Sequence, residues 1–263
     1  MPHAGPGHPR IKQYLNVRHN RRGAAKGAIA LEGLWALRAA VDAGVVVEVV
    51  FVCPARLPGP DVWALVNRTD ALVLEVSERV MARLVDRDGP DGIAALARLP
   101  MHSLGDIDVG PTTRIVVADH LELAGNLGTL IRCADGAGAS ALIVTDRRVR
   151  LSHPLLVKAS MGTVFSMPVV DADRSAARSF LRAHGIRTIA ADPAAGVSYR
   201  DADYRGPVAI VVGSERAGLD PFWRSSADTV VAIPMLGVAD SLNVGHAAAL
   251  LLYEALWQQM QSR

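Results

Sequence analysis

The side chains best equipped for chemistry fall in three clusters. Asn126 and Arg132 lie in the segment Asn126-Leu127-Gly128-Thr129-Leu130-Ile131-Arg132, within two helical turns and able to share a helix face. Glu215 lies in the Gly-bounded run Gly213-Ser214-Glu215-Arg216-Ala217-Gly218-Leu219. Its carboxylate can accept from loop N–H groups or orient Arg132 through a charge-assisted pair. Ser241 and Asn243 stand just ahead of an apolar run over residues 247–253. A hydroxyl and a carboxamide there read most plainly as caps for a helix start. Arg132 stays protonated in any ordinary setting, so it suits holding a phosphate and stabilising an oxyanion better than accepting a proton. The plain alternative for it is a surface arginine. Cys53 and Cys133 suit neither a zinc site nor a disulfide framework, and no metal is expected. Gly136-Ala137-Gly138 follows a helical pattern and precedes a strand. That order is wrong for a dinucleotide loop, and Gly138 reads as a helix stop.

The elements that must position these groups follow from patterning. In residues 113–263, β-branched runs predict strands at 114–118, 141–145, 187–191, 208–212 and 229–233. Helical spacing falls between them at 128–136, 175–184 and 220–225, and again at 244–259. Strands spaced by helices mean a mostly parallel sheet, which binds ligands beyond the carboxyl ends of its strands. All three clusters lie in loops that leave a strand or open a helix. Upstream, 24–43 reads as a helix, 45–52 and 71–76 as strands, and 62–69 and 77–86 as helices, the last capped by Ser77. This is a second, smaller α/β domain over residues 1–98. The Pro- and Gly-containing stretch 90–113 holds the connection, placed at 99–112.

The chain has 263 residues, half of them hydrophobic and 21% charged, as for a globular protein with a sizeable core. Its apolar runs are too short to span a bilayer and its start carries no signal segment, which points to the cytoplasm. The net charge of +2 is too small to name a partner. Its distribution says more, because Arg10, Lys12, Arg18, Arg21, Arg22 and Lys26 all precede the first acid, Glu32. With residues 1–9 read as disordered, this forms a basic arm whose Arg18, Arg21 and Arg22 suit an RNA backbone, the alternative being a solvated tail.

Taken together and in order, the stretches 126–132 and 213–219, with Ile233-Pro234-Met235 followed by Ser241-Leu242-Asn243-Val244, resemble the motifs of the SpoU/TrmH group of SPOUT RNA ribose methyltransferases. The resemblance covers the second domain. It implies a SPOUT-type, mostly parallel α/β sheet closed by a C-terminal trefoil knot, preceded by a small ribosomal-protein-like domain that binds the substrate. It implies a cytoplasmic homodimer that methylates RNA at the ribose 2′-hydroxyl from S-adenosylmethionine. Ribosomal RNA stands ahead of transfer RNA, because some tRNA-specific relatives lack a leading domain. A resistance methyltransferase acting on 23S ribosomal RNA and a catalytically silent RNA binder remain as alternatives. Asn126, Arg132, Glu215, Ser241 and Asn243 become the catalytic set, with Arg132 reaching the partner subunit's site. Ala190, Ala191 and Gly213 would bring backbone close to the cofactor, Ile233, Met235 and Leu242 would wall its adenine, and Asn243 would complete the pocket. Whether Ser241 and Asn243 meet the cofactor carboxylate, a phosphate or the ribose stays open. Ser160, in a run of small residues, reads as a packing residue near the dimer contact. Two departures stand out: Ala124-Gly125 where relatives often carry Asp-Pro, and Gly245-His246 after the last motif.

Overall fold

The computed structural model describes residues 1–19, 21, 27–86 and 91–262, which divide into two compact units. The first comprises Met1–Pro100 together with Leu151–Lys158, and the second Met101–Arg150 with Ala159–Arg263.

In the first unit α1 (Pro9–Arg18) leads to β1 (Ala28–Glu32), α2 (Gly33–Asp42), β2 (Val47–Val52), α3 (Asp61–Val66), β3 (Leu72–Glu75), α4 (Glu78–Leu84) and β4 (Ile93–Arg98). The sheet runs β1-β4-β2-β3, with β4 antiparallel to both neighbours and β2 parallel to β3. Ser77 caps α4 by accepting from the Val80 N–H. Three expectations need correction. The described part of the basic arm over residues 9–18 is not a free tail: α1 buries Ile11, Tyr14 and Val17, Tyr14 meets Phe51 edge-on at 5.6 Å, and its hydroxyl donates to the Leu31 carbonyl at 3.1 Å. The residues before it are held too, since Ala4 N–H donates to the Glu75 carbonyl at 2.8 Å and Glu75 N–H to that of Pro2 at 2.9 Å. Finally, residues 28–32 are a strand and not the first turns of a helix, because Ile29, Ala30 and Leu31 sit inside the sheet and Gly33, at φ +79°, turns the chain into α2.

The second unit carries β5 (Arg114–Asp119), α5 (Ala124–Gly136) and β6 (Ala141–Thr145). After α6 (Pro154–Ala159), which begins in the first unit's segment, come β7 (Val169–Ala172), α7 (Arg174–Ala183), β8 (Arg187–Ala191) and β9 (Val197–Ser198). Then follow β10 (Val208–Val212), α8 (Pro221–Ser226), β11 (Thr229–Ala232) and α9 (Val244–Gln261). The sheet order is β7-β6-β5-β10-β8-β11-β9, and every neighbouring pair is parallel. All seven carboxyl ends therefore share one edge. The central strands β5, β6 and β10 are buried almost throughout, as a sheet covered on both faces requires. Asp119 closes β5 fully buried; it takes the Thr145 hydroxyl at 2.7 Å and both arms of Arg174 at 2.7 and 3.1 Å. That satisfied carboxylate pins the strand ends from which the lead-in to α5 departs.

Candidate functional site

At the shared carboxyl edge, the loops after β8, β10 and β11 and the first turn of α9 enclose a cavity of about 570 Å³. This is within the roughly 300–1,000 Å³ usual for small-ligand pockets. Val231, Ile233, Met235, Leu242, Val244 and Ala247 supply its apolar lining. Ala191 lines it as well, whereas Ala190 points the other way, into the core, as alternation along a strand requires. Of the residues expected at a cofactor, the cavity thus gathers Ala191, Gly213, Ile233, Met235, Leu242 and Asn243.

The loop after β10 folds back on itself. Gly218 N–H donates to the Ser214 carbonyl at 2.8 Å, and the Ser214 hydroxyl accepts from Arg216 and Ala217 N–H groups at 3.2 and 3.3 Å. A Cβ at Gly213 would lie 2.2 Å from the Gly218 carbonyl oxygen. The glycine is therefore demanded by the loop's own closure and not by the approach of a ligand.

Asn243 caps α9, its Oδ1 accepting from Gly245 N–H at 2.9 Å. That bond fixes the amide's orientation and turns Nδ2 toward Asn126, whose Oδ1 accepts at 3.2 Å. The Asn126 Nδ2 must then point away, and it donates to the Glu215 carboxylate. A single relay thus ties the first turn of α5, the loop after β10 and the start of α9. Asn243 is thus the cap of α9, and the residue also lines the cavity. Gly245 permits the arrangement, since a Cβ there would meet Thr129 of α5 at 2.8 Å. Ser241 is exposed, lines the cavity and donates to Asp240 at 3.2 Å.

Arg132 stands apart from this relay. Six positions along α5 place it about 120° around the helix from Asn126, so the two do not share a face. Arg132 is exposed and, among the described residues, makes no ion pair or side-chain hydrogen bond; it does not line its own chain's cavity. Glu215 holds Asn126 rather than Arg132. Of the three arginines expected to bind RNA, Arg18 is turned inward and pairs with Glu32 and Asp86. Burial alone would lower its pKa, but the hydrogen bond and charge of Glu32 outweigh that and raise it. Arg21 is exposed, and Arg22 lies outside the described residues. Ser160 is fully buried.

Sequence reasoning passed over Asp192, Pro193, Ala194 and Ser214, which also line the cavity. Asp192 follows a strand end in a cluster of small residues, the signal that could have singled it out.

Two family models match the chain: that of the SpoU rRNA Methylase family over residues 113–253, and that of the MRM3-like substrate binding domain over residues 8–95. A 23S rRNA (uridine(2479)-2′-O)-methyltransferase of Streptomyces viridochromogenes is 33% identical over 201 residues, covering 73% of this chain and 67% of the relative. A crystal structure of an RNA 2′-O ribose methyltransferase superposes with a TM-score of 0.82 at 39% identity over 98% of this chain and 99% of that one. An AdoMet-bound rRNA methyltransferase from Sinorhizobium meliloti gives a TM-score of 0.88 at 30% identity over 97% of each chain.

Proposed function

The chain belongs to the SpoU rRNA methylase family, and on that premise we propose that it transfers a methyl group from S-adenosylmethionine to a ribose 2′-hydroxyl of ribosomal RNA. The observation that carries this reading is the relay Glu215–Asn126–Asn243, whose two ends line a nucleoside-sized cavity at the strand ends. Bound there, the cofactor supplies an electrophilic methyl on a sulfonium. The protein must aim it, keep water out and manage the 2′-hydroxyl proton. Apolar residues Ile233, Met235 and Leu242 wall the base, and the fixed amides of Asn126 and Asn243 present preset dipoles at the rim. Arg132 holds a phosphate of the target nucleotide and stabilises the oxyanion, as a permanently charged group can. Ribosomal RNA is favoured over transfer RNA and over a silent binder by the named activities of the relatives. The test is 2′-O-methyl mapping of ribosomal and transfer RNA from a deletion strain, paired with methyl transfer in vitro. Loss of one ribosomal methyl group is expected; an unchanged map with no transfer would refute the reading.

The finer parts of the proposal are the homodimer, its cytoplasmic setting, the two-domain division at 99–112 and the knot. Support for the dimer comes from α9, where Leu250, Tyr253, Trp257 and Met260 are exposed at helical spacing, a stripe that a second copy would cover. Arg132 outside its own cavity fits a role in the partner's site. Co-refolding Arg132→Ala with Asn243→Ala tests this. If the site is shared, half the dimers are mixed and each has one intact site, so activity returns to roughly a quarter of wild type. A dead mixture containing mixed dimers by native mass spectrometry would place Arg132 in its own chain's site. Among the described residues no helix is long and apolar enough to cross a membrane, which fits the cytoplasm; fluorescence of a tagged chain tests it. A chain cyclised through its ends and denatured should migrate faster than an unknotted ring if the trefoil is present. Limited proteolysis should cut within 99–112 first if those residues are the connection.

A further inference from the structure

The cavity contains a buried carboxylate that the chemistry above does not use. Asp192 is 5% exposed, whereas the other two acids of the lining, Glu215 and Asp240, are exposed. Its N–H donates to the Val231 carbonyl at 2.9 Å, which fixes it beside β11. Its Oδ1 accepts from Ala194 N–H at 2.9 Å, which sets the carboxylate plane. Its Oδ2 abuts the Arg224 guanidinium without receiving a well-formed hydrogen bond. An ionised carboxylate offers about four acceptor sites. Asp192 thus keeps acceptor capacity out of bulk solvent, unlike the exposed Glu215 and Asp240, and the guanidinium balances its charge without filling that capacity. Such a group favours a neutral O–H donor, which needs no second charge to be brought in.

Resting on the methyl-transfer reading, we propose that Asp192 binds the vicinal ribose hydroxyls of the cofactor. The apolar wall formed by Val231 and Ile233 continues directly from the residue that Asp192 is bonded to. A base lying on that wall carries its sugar hydroxyls one ring away, at the carboxylate. Ser214 already accepts two N–H groups of its own loop, and among the lining acids Asp192 is the buried one.

The experiment is calorimetric binding of S-adenosylhomocysteine, its 2′,3′-dideoxy analogue and its N6,N6-dimethyl analogue to the full chain and to Asp192→Asn. Wild type should bind the dideoxy compound roughly 10- to 100-fold more weakly than the parent. Asp192→Asn should lose a similar factor for the parent and nothing further for the dideoxy compound. Equal binding of parent and dideoxy compound by wild type overturns the proposal whether or not the variant folds. Losses that simply add also overturn it, leaving Asp192 a loop support, as does a loss that disappears with the dimethyl analogue, which would put Asp192 on the base. If wild type binds none of the three, the methyl-transfer reading falls and this one with it; the other adverse results leave that reading standing.

Discussion

Arg18 in α1 and Arg132 in α5 are the same residue in opposite circumstances. Arg18 is 15% exposed and shares its guanidinium between Glu32 and Asp86, from β1 and from the end of α4. Arg132 is exposed and, among the described residues, has no acid to pair with. A count of basic residues places both in one class. Their surroundings divide them, because a paired, half-buried cation is part of the frame and a lone exposed cation is available to a ligand.

The contrast can be broken most decisively at Arg132. Arg132→Ala is expected to lower kcat about 100- to 1,000-fold, as removal of one transition-state donor does, with unchanged cofactor affinity and melting temperature. A fall in melting temperature equal to that of an Arg18 variant would erase the distinction. Next in size is Arg18→Ala, expected to destabilise the fold by about 1–3 kcal/mol, because Glu32 is left partly buried without its partner. Chemical denaturation measures that loss. The slope of RNA affinity against salt should not move; if it flattens while stability holds, Arg18 belongs with Arg132 after all.

These two residues also mark what the sequence made legible. Five of the seven parallel strands of the second unit were readable from β-branched runs such as Val208–Val212; β7 (4 residues) and β9 (2 residues) are too short to register as such a run. β1 and β4 escaped because Ala28–Glu32 and Ile93–Arg98, apart from one Ile each, are written in Ala, Leu, Glu and Arg, good helix formers that become strands only through burial in the sheet. In α1 the three apolar residues that face the core are interleaved with cations, so charge obscured the amphipathic pattern. The motif residues of the site were visible, but their partners were not. Nothing in the spacing says that Glu215 takes Asn126 instead of Arg132, because that choice is made by loops converging from distant strands. Asp192 carried no motif at all.

Smaller tests sharpen the picture within α5. Asn126→Ala should weaken cofactor binding roughly 5- to 10-fold by leaving Glu215 and Asn243 unheld, whereas Arg132→Ala should not weaken it. Equal cofactor affinities in the two variants would dissolve the division of labour along the helix. Smallest of all is Asp203, a partly exposed carboxylate paired to Arg205 at 2.8 Å and to Arg187 at 3.0 Å. The Arg205 hydrogen bond holds its pKa at about 2. A depressed carboxylate stabilises the fold above its unfolded pKa near 3.8 and loses that contribution as pH falls through about 2. Asp203→Asn should cost under about 1 kcal/mol at pH 7, given solvent screening, and the difference from wild type should shrink from about pH 4 downward and vanish only below about pH 2 in acid titrations.

The bond from Asn243 to Asn126 spans 117 positions of the chain. Closing a loop of that length costs about 2 kcal/mol more entropy than closing one of ten residues, and most of that closure is already made when β5 pairs with β10, Arg114 opposite Val208, which brings the relay's loops together. The sheet can therefore assemble before the relay does, and an early folding species would possess the strands but no pocket. A ligand for the pocket would find nothing to hold in that species. It should leave the refolding rate almost unchanged and lengthen the lifetime of the folded state, so that its protection is read in the unfolding limb of the kinetics.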